Sequence, residues 1–161
     1  MTRVCRLASA GLLLLLLAAT PARADITGFI GVNTTPANRQ VRGAALGFGL
    51  LVVAVELEYA FTPDDPLTGA PSLQTGMGNV TLQTPVSFFG FQPYFTTGGG
   101  IYREAIGLHQ DIGFGLNTGG GVKMSLVGPI RLRVDYRIFK LGSGALQSPV
   151  YRIYAGLNLK L

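Results

Sequence analysis

Apolar and polar residues alternate with period two along several segments from residue 25 onward. The clearest are 53–61, 130–138 and 151–161, each with apolar residues on one face and polar ones on the other. Successive side chains of a strand point to opposite sides, so each segment predicts a strand with one apolar face. The polar faces carry the charged residues Glu56, Glu58, Arg131, Arg133, Asp135, Arg137 and Arg152.

The whole chain after residue 24 divides into eight predicted strands. They lie near 26–33, 42–49, 53–61, 79–87, 92–102, 111–123, 130–138 and 151–161. Their connections alternate in length: long ones at 34–41, 62–78, 103–110 and 141–149, short ones near 50–51, 88–91 and 124–128. An even strand number with alternately short and long connections is typical of outer-membrane barrels. In 43–62 the turn signal is weak, and a transmembrane helix is the alternative, although Glu56 and Glu58 end its uncharged run.

The low charge of the chain favours apolar faces that point outward, toward lipid. Only 13% of residues are charged and mean hydropathy is +0.39. The segments 26–33, 42–49 and 112–122 carry almost no charge except Arg42, which is unusual for a sheet facing water. A lipid-facing sheet must close, because an open edge leaves backbone groups unpaired in hydrocarbon. The alternative is a soluble barrel that binds an apolar ligand, with Leu132, Val134 and Leu157 facing inward.

Residues 1–24 read as a secretory signal peptide. Arg3 and Arg6 precede an apolar run over 7–19, and Ala22 and Ala24 flank Arg23 in a small-x-small cleavage site. An N-terminal membrane anchor is the alternative. Cleavage removes three of 13 basic residues and leaves 10 against 8 acidic ones, so charge gives no support for a nucleic-acid partner. It also removes the single cysteine, which excludes an internal disulfide.

The chain from residue 25 resembles small outer-membrane β-barrel proteins of the OmpA/OmpX type. Its last strand fits their terminal assembly signal, with Tyr154, Gly156, Leu159 and Leu161 at the signal positions. Family members usually end in Phe or Trp, whereas this chain ends in Leu161. The resemblance implies an all-β fold, a single eight-stranded antiparallel up-and-down transmembrane barrel over 25–161. It also implies a Gram-negative outer-membrane location, contact with membrane lipid and lipopolysaccharide, recognition by the barrel assembly machinery, and a monomer without enzymatic activity.

The charged inner faces predict ion pairs inside this barrel. Strands three and seven are four apart of eight and should face each other, so Glu56 and Glu58 should meet the arginines. A narrow ion path is the functional alternative, whereas a wide pore needs more strands. With one histidine and no mature cysteine, no metal site or cofactor is expected. His109, predicted in the fifth connection, would serve a lipid A-modifying enzyme only together with a serine.

Overall fold

The structure, a computed structural model, describes residues 23–50 and 52–161. Apart from Arg23 and Ala24, the predicted signal peptide lies outside the described residues, so its cleavage stays a prediction. Within the described part the elements are eight strands, and no helix there is long and apolar enough to cross a membrane. The strands are β1 (Arg23–Asn33), β2 (Arg39–Gly49), β3 (Val53–Thr62), β4 (Ser72–Gln83), β5 (Phe91–Ile106), β6 (His109–Val127), β7 (Ile130–Lys140) and β8 (Val150–Lys160).

The strands form one closed antiparallel barrel, as the sequence predicts. Each strand pairs with its neighbours in the chain, and β1 closes the barrel against β8. Residues 23 and 161 lie at one end with the connections 50–52, 84–90 and 128–129; we call this the turn end. The opposite loop end carries the connections 34–38, 63–71, 107–108 and 141–149.

The outer surface of the barrel is apolar. Outward side chains such as Leu57, Phe114 and Leu157 are 59%, 64% and 59% exposed. The alternate residues of the same strands point inward and are buried or half-buried, so the faces predicted over 53–61, 112–122 and 151–161 are correct. The apolar face of the sheet therefore forms the outside of the barrel, and most of the charged side chains lie inside it.

Inward-pointing aromatic rings lie against glycines on the inner wall of the barrel. A Cβ built on Gly121 would lie 2.6 Å from Tyr94 Oη, and one on Gly113 would lie 2.8 Å from Tyr102 Oη. Only a residue without a side chain allows these rings to approach the wall so closely. The glycine-rich inner face of β6 is thus complementary to the tyrosines of β5.

The fourth strand differs from its prediction. It was expected over 79–87 but spans Ser72–Gln83, so the connection predicted over 62–78 shortens to 63–71, while the one predicted near 88–91 lengthens to 84–90. The outward positions near its start are Gln74, Gly76 and Gly78, which give no apolar alternation for a sequence pattern to detect. The buried Arg39 side chain holds the shortened loop by donating to the carbonyls of Pro63, at 3.1 Å, and Pro71.

The prediction of a long fifth connection over 103–110 is wrong. β5 and β6 continue to a tight turn at Gly107 and Leu108, in which Gly107 has a φ of 57°. Polar residues pair across this hairpin instead of forming a loop: Arg103 Nη2 lies 3.0 Å from Gln110 Oε1, and Tyr102 Oη lies 2.6 Å from Asp111 Oδ2. The polar residues that led to the loop prediction form pairs between the two strands of the hairpin.

The segment 43–62, for which a helix was the alternative, forms the β2–β3 hairpin. Ala44 pairs with Tyr59 and Phe48 with Val55 across it. The amide of Leu50 donates to the carbonyl of Val53 at 2.8 Å, which closes the turn. The eight-strand interpretation of this segment is therefore correct.

Candidate functional site: the closed lumen

The centre of the lumen holds a cluster of ion pairs between β3 and β7. Glu56 receives hydrogen bonds from the guanidinium groups of Arg133 and Arg137, the latter at 2.9 Å. Arg137 Nη1 also lies 3.1 Å from Glu58 Oε2. Asp135, between the two arginines on β7, lies 2.9 Å from Arg133 and 3.1 Å from Arg137.

A third arginine and two tyrosines complete this arrangement. Arg152 of β8 lies 3.2 Å from Glu58 Oε1, and its Nε donates to Asn33 Oδ1 at 3.0 Å. The Tyr154 hydroxyl lies 3.1 Å from Glu58 Oε2. Tyr94 donates to Asp135 and accepts from Arg133 Nε at 2.7 Å. We call the six charged residues the central cluster: Glu56, Glu58, Arg133, Asp135, Arg137 and Arg152.

The central cluster has no net charge and is almost completely shielded from solvent. Its three cations and three anions are each at most 4% exposed. Buried charges need partners and hydrogen bonds, since desolvation of an unpaired ion costs several kcal/mol. Here each acid contacts at least two arginines, so the cluster satisfies its own charges. It fills the cross-section of the barrel with side chains, as expected for eight strands.

On its loop-end side the lumen is closed by apolar side chains. The Arg152 guanidinium lies 4.2 Å from the centre of the Phe139 ring, in a cation–π contact that joins the ionic and apolar layers. The apolar layer consists of the buried residues Leu73, Met77, Tyr102, Phe139, Leu141 and Val150. A solute would have to displace both layers to cross the barrel.

Arg131, predicted with the other lumen charges, lies apart from the central cluster. Near the turn end it contacts Asp25 Oδ2 at 3.3 Å and Asn158 Oδ1 at 2.9 Å. Lys123 of β6 contacts the same carboxylate oxygen at 3.1 Å. These three charged residues, Asp25, Lys123 and Arg131, form a second group that we call the mouth cluster.

Sequence reasoning missed two members of the mouth cluster, and it also missed Tyr94 as a partner of the central cluster. Lys123 follows the inward Gly121 at the spacing of two that defines the inner face of β6, and Asp25 precedes the inward Thr27 in the same way. The period-two pattern could have placed both. Tyr94 carried no such signal, because aromatic residues occur on both faces of β5.

The four residues of the predicted assembly signal lie on β8 and the residue after it. Tyr154 and Gly156 point inward, whereas Leu159 and Leu161 are 40% and 65% exposed on the outside. The amide of Leu161 donates to the carbonyl of Ala24 at 2.8 Å, within the β1–β8 seam. Recognition of these residues by the assembly machinery stays a prediction.

His109 lies at the start of β6 and not in a long loop. It is exposed and pairs with Ile106 beside the tight turn. In the described part of the chain no hydrogen bond joins its ring to a serine. Among those same residues no group of three or more His, Cys, Asp or Glu side chains could hold a metal ion.

The interior does not fit the soluble, ligand-binding alternative. Val134 and Leu157, which that barrel requires inside, point outward and are 42% and 59% exposed, and Leu132 lies on the same outer face. Their inward neighbours Arg133 and Asp135 occupy the space that an apolar ligand would need.

Similarity to known proteins lies in the fold. No protein-family model and no curated protein sequence matches the chain. The N-terminal β-barrel domain of Pseudomonas aeruginosa OprF is 16% identical with a TM-score of 0.67, over 88% of this chain and 100% of that domain. Neisserial surface protein A is 15% identical with a TM-score of 0.65, over 87% and 96%.

The outer-membrane enzyme PagL is more distant, at 10% identity and a TM-score of 0.52, over 84% of this chain and 98% of PagL. The chain therefore has the eight-stranded barrel fold of small outer-membrane proteins of the OmpA/OmpX type. At these identities the likeness concerns fold, and activity has to be argued from the residues.

Proposed function

We propose that this chain is an integral outer-membrane β-barrel protein with a non-enzymatic structural, envelope-integrity or surface-binding role. The observation that carries the proposal is the inverted polarity of the barrel, with exposed leucine, phenylalanine and valine outside and paired charges inside. In water this outer surface would be a very large exposed apolar patch, of a size that marks a membrane or protein contact. In a bilayer the same surface is satisfied by lipid tails.

The outward charged residues support this placement. Arg42, Arg103 and Lys140 are exposed, and each lies in the part of its strand nearer the loop end. Exposed apolar residues follow them toward the turn end, for example Leu46 after Arg42 and Val134 before Lys140. A basic rim above an apolar belt is suited to the phosphate groups of lipopolysaccharide. We therefore place the loop end at the cell surface and the termini in the periplasm.

The position of the polar residues supports a non-enzymatic role. The buried polar side chains are engaged with one another inside the sealed barrel, and the sole histidine stands exposed beside a turn. The 63–71 and 141–149 loops and the tip of the β5–β6 hairpin are the surfaces available to a partner outside the cell. The fold shared with PagL keeps a lipid A-modifying enzyme as the second candidate, and His109 is the residue on which it would depend.

The test is the behaviour of the protein in isolated outer membranes. Resistance to extraction by alkaline carbonate, together with a gel shift that depends on boiling in SDS, is the expected result, because a closed membrane barrel stays folded in SDS until it is heated. Both forms should consist of the chain without residues 1–24, although they migrate differently in the gel. Recovery as a soluble periplasmic protein with no gel shift would overturn the proposal.

A further inference from the structure

The β5–β6 hairpin carries an unpaired sheet edge at the loop end of the barrel. β6 begins at His109, but it pairs with β7 only from Leu116, which lies opposite Lys140. Residues 109–115 therefore pair with β5 alone, over about 23 Å of strand. We call the side of these residues that faces away from β5 the open edge.

The chain after β7 turns into the barrel instead of continuing along β6. Leu141 is buried in the apolar layer, and the Ser148 hydroxyl bonds to both its amide, at 3.0 Å, and its carbonyl, at 3.3 Å. Gly142 would lie opposite Phe114 in a longer ladder, but its carbonyl accepts from the Ala145 amide at 3.1 Å. Local bonds within this loop thus replace the missing part of the ladder.

The same loop covers the inner face of the hairpin and leaves the open edge exposed. On that inner face the Leu146 amide donates to the buried Glu104 at 2.8 Å. In the part of the chain that the structure describes, no hydrogen bond joins the 141–149 loop to the backbone of the open edge. The backbone groups on this side of β6 therefore have no strand beside them.

Alternate residues of β6 direct their backbone groups to the open edge. Thr97 Oγ1 of β5 donates to the Asn117 carbonyl at 3.2 Å, so the odd-numbered residues in this part of β6 face β5. The amides and carbonyls of Gln110, Ile112 and Phe114 consequently point to the open edge. Natural sheet edges are commonly protected by lysine or proline, and the open edge contains neither.

A second copy of the chain in the same membrane does not fit the open edge. Copies in one bilayer share one orientation, and barrel strands are tilted by roughly 40°. Two such edges brought together about an axis along the membrane normal cross at a large angle, so they form no ladder. The occupant that fits is an extended segment of another protein outside the cell, whose backbone donors and acceptors match those of β6.

We propose that the open edge binds an extended peptide segment of a partner protein, which adds to β6 as a further strand. Its backbone bonds to Gln110, Ile112 and Phe114. The side chains of Ile112 and Phe114 are 59% and 64% exposed, which favours apolar residues at alternate positions of the peptide. This inference rests on the surface-binding role proposed above and names its site and kind of partner. Its failure leaves the membrane location untouched, because the gel shift tests that location separately.

Amide hydrogen exchange tests whether the edge is open and whether a strand occupies it. The whole isotope-labelled protein in nanodiscs of zwitterionic lipid is followed by NMR, with and without a capped heptapeptide of alternating isoleucine and lysine. Without peptide, the amides of Gln110 and Ile112 should exchange fast, and those of Asp111 and Gly113, which face β5, slowly. Saturating peptide should slow Gln110 and Ile112 about tenfold. Slow exchange at both residues before peptide is added would overturn the proposal.

Loss of a single backbone donor separates strand addition from apolar contact. Ile112→Pro removes a donor of the open edge and no bond to β5, and it should weaken peptide binding about tenfold. Ile112→Ala, which keeps the donor, is the matched control and should weaken binding less. The boiling-dependent gel shift shows that each variant is folded. Equal binding by the two variants would contradict recognition through the backbone.

Modified peptides give the same answer without any change to the protein. N-methyl groups are placed on either of the two alternate sets of residues in the heptapeptide. The set that faces β6 should abolish binding, and the other set should leave binding unchanged, because only one edge of an added strand bonds to the sheet. Absence of saturable binding by the unmodified peptide, or equal binding by both methylated peptides, would show that the open edge does not accept a strand.

Discussion

Arg137 Nη2 donates to Glu56 Oε1 across the lumen at 2.9 Å, joining β7 to β3 over 81 residues of chain. The two strands are not neighbours in the sheet, so this contact spans the inside of the barrel. Glu56 also accepts a hydrogen bond from Arg133, and Arg137 also contacts Glu58 and Asp135. The central cluster therefore ties opposite walls together through groups that each serve more than one partner.

Loss of one acid from this cluster should destabilise the barrel strongly. Glu56→Gln removes one of the three buried carboxylates, so Arg133 keeps only Asp135 and the cluster carries an uncompensated positive charge. Breaking a buried pair in this way costs on the order of 3 kcal/mol. Urea-induced unfolding in lipid vesicles, followed by loss of the unboiled gel form, measures the change. Arg103→Gln is the control, since it removes an exposed hydrogen bond on the β5–β6 hairpin and no contact of the central cluster. Equal stability of the two variants would mean that the central cluster does not hold the walls together.

A charge on the outer face should impair membrane assembly. Leu157 is 59% exposed midway along β8, and Leu157→Arg would place a guanidinium among lipid tails at a cost of about 2–4 kcal/mol. We expect a clear fall in the fraction of protein recovered in the outer membrane. Leu67→Arg makes the same change at a leucine that is 98% exposed in the 63–71 loop and should assemble normally. Normal assembly of both variants would contradict a lipid-facing outer surface.

The strands that sequence reasoning predicted best are those with side chains on both faces. β3, β7 and β8 alternate between apolar residues and a face that carries charged residues, so their period is visible and their bounds lie within about two residues of the prediction. The alternation in β4 is harder to detect, because Gly76 and Gly78 occupy outward positions at which apolar residues would reveal the period. Absence of a side chain removes the signal without removing the strand.

The distribution of charges within the lumen could be predicted only in outline. Opposition of β3 and β7 follows from strand order in a closed barrel, and it brings Glu56 and Glu58 to the arginines. Which arginine reaches which acid depends on strand tilt and on register, which the sequence does not state. Arg131 and Arg133 are two residues apart on one face, yet Arg133 joins the central cluster and Arg131 joins Asp25 near the mouth.

The sealed lumen should not pass uncharged solutes. The central cluster and the apolar layer around Phe139 both lie across the path, and the cation–π contact of Arg152 links them. Liposomes that contain the protein should therefore swell in glucose no faster than liposomes without it. Liposomes with a sixteen-stranded porin serve as the positive control. Rapid glucose entry through the wild-type protein would show that the lumen opens in the membrane and would contradict a filled barrel.

Replacement of the histidine separates the structural proposal from the enzymatic one. His109 is exposed beside the Gly107–Leu108 turn, and no hydrogen bond in the described part of the chain links it to a serine, so His109→Ala should have no chemical effect. Mass spectrometry of lipid A from cells that carry the wild-type chain, the variant or neither should give the same spectrum in all three. A change in lipid A that requires the chain and disappears in the variant would establish the enzyme instead. Membrane levels of the variant, compared by the boiling-dependent gel shift, show that any such loss is not a loss of protein.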